Sequence, residues 1–196
     1  MRVCLIRHAS TGWNESGRIQ GQTDIPLSPR GRAEVSAWLL PSGFGEAACL
    51  TSPLARACET AAILGFAAAP ADARLAEMRW GAFEGRTLAQ LRAEHGEAMR
   101  DLEALGVDFH PPGGESPRQV AERLAGCLRE LAATRRDHVL VTHKGVLRAS
   151  LVLAIGWDMR GKSPVRYEPE RALVYRLAPS GALTLESALP LREPVA

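Results

Sequence analysis

Cationic and imidazole side chains occur at three places where short apolar runs of the sequence end. Arg7 and His8 follow the first run, His143 follows a later one, and Arg56 comes shortly after a third. Because open α/β sheets bind ligands at the carboxyl ends of their strands, we expect these side chains to meet at one sheet edge. Guanidinium groups recognise anions that carry several oxygens, and phosphate is the obvious one. The combination predicts an anion site, although each residue alone is as typical of a structural or surface position.

The elements that must position these residues alternate between strands and helices. Three short apolar runs are typical of buried strands, namely Val3–Ile6, Ala47–Leu50 and His138–Thr142. Three Ser-Pro pairs indicate helix starts, at 28–29, 52–53 and 116–117. The alternation predicts an α/β fold, a three-layer sandwich in which a mostly parallel central sheet has helices on both faces.

The second half of the chain predicts a small insertion and an edge hairpin. Thr87–Leu105 has a helical pattern with a break at Gly96, and the Pro- and Gly-rich segment Asp108–Glu115 predicts a loop. We expect residues of about 78–115 to form a helical cap within a single domain spanning 1–196. Two late apolar stretches predict the hairpin, Arg171–Leu177 and Leu183–Ser187.

Composition narrows the class of protein. The chain has 196 residues, 46% hydrophobic and 23% charged, which is ordinary for one compact soluble domain. The net charge of +2 and the scattered arginines argue against a nucleic-acid surface. No apolar run is long enough to span a bilayer, and none resembles a signal peptide. We therefore expect a cytoplasmic protein with free thiols that binds neither nucleic acid nor membrane. A homodimer through an edge strand is compatible with the sequence, but no feature demands it.

Ordered segments along nearly the whole chain resemble the histidine phosphatase superfamily, also called phosphoglycerate mutase-like. The segments are Leu5–Asn14, Gly17–Ser28, Ser52–Ala61, Leu75–Gly85, Gly113–Ser116 and Val141–Gly145. One such motif is weak evidence, whereas the full set in the right order is strong evidence. The resemblance implies the fold described above and a reaction that passes through phosphohistidine.

The resemblance also implies a role for each residue of the anion site. His8 would attack phosphorus and carry the phosphoryl group, which divides one difficult displacement into two easier ones. Arg7 and Arg56 would hold the phosphoryl oxygens, and their charges should lower the pKa of His8 and keep it neutral. Further hydrogen bonds to these oxygens are expected from His143, Asn14 and Gln20.

Glu77 matches the position of the family's general acid and base. A carboxyl group beside a phosphate dianion has a raised pKa, so it can hold a proton for the leaving alcohol and later activate water. Glu84 is the nearest competitor, and the family pattern makes it structural. Glu115 is expected to support the start of the following helix. Because the arginines supply the electrostatic stabilisation and the remaining histidines show no metal-ligand spacing, we expect neither a metal nor a cofactor.

Two residues depart from the family pattern. Ala9 and Lys144 each stand where glycine is common. The methyl group of Ala9 could narrow the pocket, but we expect activity to survive because alanine is the smallest such change. Lys144 either adds a charge near the phosphate or points to solvent, and we favour solvent slightly.

The sequence thus predicts a metal-independent phosphomonoesterase that hydrolyses a small phosphorylated metabolite. A phosphoglycerate mutase and a non-catalytic phosphate-ligand-binding relative are the alternatives. A cobalamin-pathway nucleotide, a sugar phosphate and a phosphoglycerate all stay open as substrates. Contacts to the alcohol half are expected from Trp13, Arg18, Arg79–Phe83 and Asp108–Gly114. Packing beneath the loop is an equally good interpretation of Trp13 and Trp80.

Overall fold

A five-stranded sheet lies at the centre of the fold. The computed structural model describes residues 1–165 and 170–191, and its strands are β1 (Arg2–Arg7), β2 (Ala48–Thr51), β3 (His138–Thr142), β4 (Arg171–Leu177) and β5 (Leu183–Pro190). Their order across the sheet is β2-β3-β1-β4-β5. β1 and β2 pair in parallel with β3, whereas β4 is antiparallel to both β1 and β5. Four of these five strands therefore run in one direction, which confirms the predicted sheet and edge hairpin.

Helices cover both faces of this sheet. In the described residues they are α1 (Gly12–Glu15), α2 (Pro29–Ser36), α3 (Ala55–Ile63), α4 (Leu88–Ala104), α5 (Pro117–Thr134) and α6 (Lys144–Ile155). None of these helices has the length and apolar character needed to cross a membrane.

Alternation along β1 divides the core into two layers, because successive side chains of a strand point to opposite faces. Val3 and Leu5 belong to a buried apolar cluster with side chains of α5 and α6. Cys4 and Ile6 belong to a second cluster with side chains of α2 and α3. The central strand of the parallel part, β3, is buried along its whole length. The three-layer sandwich is therefore confirmed.

Two of the predicted helix starts are confirmed by their caps. The Ser28 hydroxyl accepts a hydrogen bond from the Gly31 N–H at 3.0 Å, and α2 begins at the following proline. The Ser116 hydroxyl accepts one from the Gln119 N–H at 3.2 Å, and the Gln119 side chain accepts one from the Ser116 N–H. Both serines thereby satisfy backbone donors that the first turn of a helix leaves without partners.

The predicted helix start at Ser52-Pro53 is wrong. The helix α3 begins at Ala55, and its N-cap position is Leu54, which makes no side-chain cap. The Ser52 hydroxyl lies 2.7 Å from Nε2 of His143 and also accepts a hydrogen bond from the Leu54 N–H. This serine is bonded to a histidine on another strand end, and so it is not available to cap the helix.

The segment predicted as a cap contains the long helix α4 and a loop. Gly96 has φ 52° and ψ −119°, so the helix is interrupted where the sequence predicts a break. A short 3₁₀ turn over Gly106–Asp108 precedes the Pro- and Gly-rich loop. The assignment of 78–115 as a functional cap within one domain stays a prediction.

Gly31 and Gly126 provide a matched test of the packing around the site. Both lie in helices, but a methyl group at Gly31 would overlap the backbone oxygen of Ser10, whereas one at Gly126 would meet only the Arg129 side chain, at 3.9 Å. We expect Gly31→Ala to lower the free energy of unfolding by about 2 kcal/mol, because the overlap outweighs the gain in helix propensity. We expect Gly126→Ala to raise it by about 0.5–1 kcal/mol.

Urea denaturation of the two variants beside the wild type measures this difference. Equal changes of the same sign at both positions would show that Gly31 is not constrained by its contact with Ser10.

Candidate active site

His8 is the first residue beyond β1 and is almost completely buried. Its backbone N–H donates to the Thr142 carbonyl at 2.9 Å, which continues the ladder between β1 and β3 past the end of the strand. Its Nδ1 atom lies 2.7 Å from the Ala9 carbonyl oxygen. Because a carbonyl oxygen only accepts hydrogen bonds, Nδ1 must carry the hydrogen. The neutral imidazole therefore keeps its lone pair on Nε2, which makes Nε2 the ring atom able to act as a nucleophile.

Burial and two neighbouring guanidinium groups keep His8 neutral. Burial lowers the pKa of His8 well below its usual value, and the charges of Arg7 and Arg56 lower it further. The hydrogen bond to Ala9 acts in the opposite direction and is the weaker effect. The lowered pKa means that the lone pair is available at neutral pH.

Arg56, in the first turn of α3, is entirely buried. Its terminal nitrogens donate to the carbonyl oxygens of Gly21, at 2.7 Å, and Thr23, at 3.0 Å. Its Nε atom is buried and has no hydrogen-bond partner among the described residues. The guanidinium is thus fixed by the loop that follows α1, and its Nε–H group stays available to an anion. Arg7 lines the same cavity.

Glu77 also lines the cavity, and two backbone N–H groups hold its carboxyl group. Oε1 accepts from Met78 at 2.8 Å and from Gly145 at 2.9 Å. Burial raises the pKa of Glu77, although these hydrogen bonds and the charges of Arg56 and Arg7 oppose the rise. Both bonds use Oε1, which leaves Oε2 to carry a proton. A methyl group at Gly145 would overlap Oε1, so a larger residue at this position would displace the Glu77 carboxyl group.

His143 lies beside His8 rather than on the cavity wall. It is entirely buried, and its ring centroid is 5.1 Å from that of His8. Burial lowers its pKa well below the usual value, and the neighbouring His8 and arginines lower it further. Its Nε2 atom is bonded to the Ser52 hydroxyl, while Nδ1 has no partner in the described part of the chain. The expectation that His143 donates a hydrogen bond to a phosphoryl oxygen stays a prediction.

Ser52 is a site residue that the sequence interpretation missed, because the Ser-Pro pair was assigned to a helix start. Its hydroxyl accepts from Leu54 and can donate its own hydrogen to Nε2 of His143. That arrangement would place the imidazole hydrogen of His143 on Nδ1, the atom without a partner. The signal available in the sequence was the position of Ser52 at the end of a predicted strand.

Asn14 and Gln20 both line the cavity. The Asn14 side-chain oxygen accepts from the backbone and the hydroxyl of Thr11, both at 3.1 Å, so its NH₂ group is the part left to donate to a ligand. Gln20 is buried, and its side-chain oxygen has no partner within the described residues. A half-turn of the amide exchanges its oxygen and nitrogen, so Gln20 can present a donor to an anion.

These groups open onto a cavity of about 930 Å³. Of the residues predicted to contact the alcohol half of a substrate, Arg18, Trp80 and Phe109 line it, with the two rings 5.2 Å apart. Trp13 is not part of the lining and lies against Gly85, which favours its packing interpretation. The cavity is therefore lined by the cationic side chains of Arg7 and Arg56 and by the aromatic side chains of Trp80 and Phe109.

Glu84 and Glu115 hold loops together outside the reaction centre. The Glu84 carboxylate accepts from the backbone N–H groups of Gln22, Thr23 and Trp80. It thereby joins the loop that carries Gln20 to the segment that carries Glu77. Glu115 pairs with Arg123 of α5 at 2.8 Å and supports the start of that helix.

Ala9 and Lys144 are both accommodated. Ala9 is completely buried in the cluster that includes α2 and α3, and its backbone does not have a positive φ, so glycine is not required. Its N–H donates to Thr60 while its carbonyl holds His8. Lys144 is exposed and also lines the cavity, so both interpretations of its position apply.

Among the residues described by the structure, no cluster of three or more His, Cys, Asp or Glu side chains is placed to hold a metal.

The chain belongs to the histidine phosphatase superfamily (branch 1), whose family profile matches residues 3–181. This confirms the resemblance carried by the motifs. The chain is similar to probable phosphoglycerate mutase GpmB of Klebsiella pneumoniae, with 38% identity over 165 residues that cover 79% of this chain and 74% of the relative.

Solved structures extend the likeness to nearly the full length. TTHB049 from Thermus thermophilus has a TM-score of 0.73 and 33% identity, over 97% of this chain and 100% of that one. A mycobacterial glucosyl-3-phosphoglycerate phosphatase, solved in complexes with VO₃, has a TM-score of 0.80 and 28% identity, over 98% and 99% of the two chains. The chain is therefore related to phosphoryl-handling enzymes.

Ser52→Ala tests whether the serine positions His143. We expect kcat/KM to fall about threefold to tenfold, since a lost hydrogen bond is worth on the order of 1 kcal/mol. Ser150→Ala is the matched control, because Ser150 is also completely buried and bonds its hydroxyl to Tyr175, away from the cavity. Steady-state kinetics of both variants, with their unfolding free energies, give the comparison. If Ser52→Ala and Ser150→Ala lose the same stability and keep the same kcat/KM, Ser52 does not position His143.

The lowered pKa values of His8 and His143 predict a pH dependence. In phosphate-free buffer neither imidazole should titrate between pH 8 and pH 6, whereas histidines of the unfolded chain titrate near 6.5. The unfolded chain then binds more protons, so the contribution of these groups to stability is present above about pH 6.5 and is lost as the pH falls. Nitrogen-15 NMR of labelled histidine measures both rings. Titration of His8 near 6.5 would show that neither burial nor the two arginines keep its imidazole neutral.

Proposed function

We propose that this chain is a metal-independent phosphomonoesterase that hydrolyses a small phosphorylated metabolite through a phosphohistidine on His8. The observation that carries the proposal is the buried, neutral imidazole with its lone pair on Nε2. It lies beside Arg56, which has an N–H group without a partner in the described residues, and shares its cavity with Glu77, whose pKa is raised. A cytoplasmic location belongs to the same proposal, since Cys4, Cys49, Cys58 and Cys127 are free thiols.

In the first step, Nε2 of His8 attacks phosphorus and the bond from phosphorus to the alcohol oxygen breaks. Arg7 and Arg56 stabilise the charge that spreads over the phosphoryl oxygens. The proton on the Glu77 carboxyl goes to the departing alkoxide, so the alcohol leaves neutral. The imidazole becomes positively charged, and the Ala9 carbonyl stabilises that charge through the hydrogen on Nδ1.

In the second step, water attacks the phosphohistidine. The Glu77 carboxylate takes a proton from this water, the bond between Nε2 and phosphorus breaks, and inorganic phosphate forms. The electron pair of the broken bond returns to Nε2, which restores the neutral imidazole with its hydrogen on Nδ1. Glu77 is again protonated, so atoms and charges balance over the cycle.

A phosphoglycerate mutase is the second candidate, and it is favoured by the names of the curated relatives. The two reactions share the first step and differ in the acceptor of the phosphoryl group. The phosphatase neighbour, which matches over nearly the full length, favours water as the acceptor.

The experiment uses metal-free protein with excess chelator and p-nitrophenyl phosphate, beside His8→Ala and Glu77→Gln variants. We expect turnover in the wild type and loss of both turnover and acid-labile, base-stable phosphate in His8→Ala. Glu77→Gln should lose more activity on an alkyl phosphate than on p-nitrophenyl phosphate, because the nitrophenolate leaves without needing a proton.

Turnover that survives in His8→Ala would contradict the mechanism. Interconversion of 2- and 3-phosphoglycerate faster than phosphate release would select the mutase. A folded sample that gives neither turnover nor label would select the non-catalytic relative.

A further inference from the structure

Beyond the reaction centre, some of the cationic side chains that line the cavity have a carboxylate partner and others do not. Arg92 pairs with Glu103 at 2.9 Å across the break in α4, so its charge is balanced. Lys144 and Arg148 also line the cavity, and no ion pair joins either of them to a carboxylate within 1–165 and 170–191. Lys144 and Arg148 are therefore two cations of this wall, close together in the sequence of α6, whose charges no carboxylate of the described residues balances.

The two residues lie on one face of α6, because positions four apart on a helix are neighbours. The helix begins at Lys144, directly after His143, so its first turns are fixed next to the reaction centre. Arg148 is held over the Trp157 ring at 5.2 Å, and its buried Nε atom has no hydrogen-bond partner among the described residues. Its guanidinium is thus positioned by an aromatic contact and still has a donor to offer.

The pair also lies in a positive electrostatic environment. Desolvation at the cavity wall and the charges of Arg7 and Arg148 lower the pKa of Lys144. Glu77 is the one carboxylate in the described part of the chain that opposes this effect, and it is half-buried in the reaction centre. A negative group placed beside Lys144 and Arg148 would relieve repulsion that the protein alone leaves in place.

We propose that Lys144 and Arg148 bind a second acidic group of the substrate, so that preferred substrates are phosphomonoesters of small acids rather than of neutral alcohols. The inference rests on the proposed function, because it places the phosphoryl group at His8. The shared chemistry is a carboxylate or a second phosphate within reach of the first two turns of α6.

Two matched substrate pairs separate the sources of the acidic group. 3-Phosphoglycerate and glycerol 3-phosphate differ by a carboxylate, while fructose 1,6-bisphosphate and fructose 6-phosphate differ by a phosphate. The ratio of kcat/KM within each pair is measured for the wild type, Lys144→Met, Arg148→Met and the double variant. Arg100→Met is the control, since it removes the same charge from an exposed position of α4 outside the cavity lining.

We expect the wild type to prefer the acidic member of at least one pair, and each single variant to reduce that preference about tenfold. The double variant should reduce it further, and Arg100→Met should leave it unchanged. A fall in the first pair alone assigns a carboxylate, and a fall in the second alone assigns a phosphate. Unchanged ratios in both pairs overturn the proposal, even where phosphohistidine forms and the proposed function holds.

Binding without turnover keeps the test independent of catalysis. Titration calorimetry on His8→Ala compares 3-phosphoglycerate with glycerol 3-phosphate and the two fructose phosphates, with and without the Lys144→Met change. Tighter binding of an acidic ligand that depends on Lys144 supports the subsite even if the proposed reaction fails. Equal affinities within both pairs, or no binding of any of the four ligands, overturn it.

Discussion

The concentration of positive charge around a buried imidazole governs the arrangement of the whole site. Burial lowers the pKa of His8 and the charges of Arg7 and Arg56 lower it further, so the ring is neutral and has a lone pair to offer. The same potential acts on Glu77, where burial nevertheless raises the pKa and favours the protonated carboxyl. The same buried environment thus favours a neutral imidazole at His8 and a protonated carboxyl group at Glu77. In the proposed function, a phosphate dianion brings the negative charge that this environment lacks, so recognition and reactivity would depend on the same two arginines.

The fold holds these charges in place through backbone groups more than through side chains. Carbonyl oxygens of Gly21 and Thr23 fix the Arg56 guanidinium, and the Ala9 carbonyl fixes the tautomer of His8. Parallel pairing of β1 with β3 brings the two strand ends together. Since α6 begins immediately beyond β3, its Gly145 N–H reaches the Glu77 carboxyl. The proposed general acid, Glu77, is therefore bonded to the helix that we propose to bind the rest of the substrate.

Local patterns in the sequence predicted the strands and the caps at Ser28 and Ser116, because burial and capping depend on neighbouring residues. Most residues that the ordered motifs assigned to the site line the cavity, namely Arg7, His8, Asn14, Gln20, Arg56 and Glu77, whereas His143 does not. The sequence did not predict Ser52 correctly, because its hydroxyl bonds to His143, 91 positions further along the chain. It also did not predict that the His143 ring lies 5.1 Å from the His8 ring, and the expected role of His143 in phosphate binding stays a prediction. Contacts of this kind depend on how strands pair, which no local pattern records.

The position of the phosphoryl group on His8 tests the central claim most directly. The wild type is mixed with substrate, quenched in alkali within milliseconds and digested, and the phosphohistidine isomer is identified by phosphorus-31 NMR and mass spectrometry. Because Nδ1 donates to the Ala9 carbonyl, the account predicts a phosphoryl group on Nε2 alone. Phosphate on Nδ1 would contradict it, since that hydrogen bond and the neutral tautomer it fixes could not then exist in the reacting enzyme.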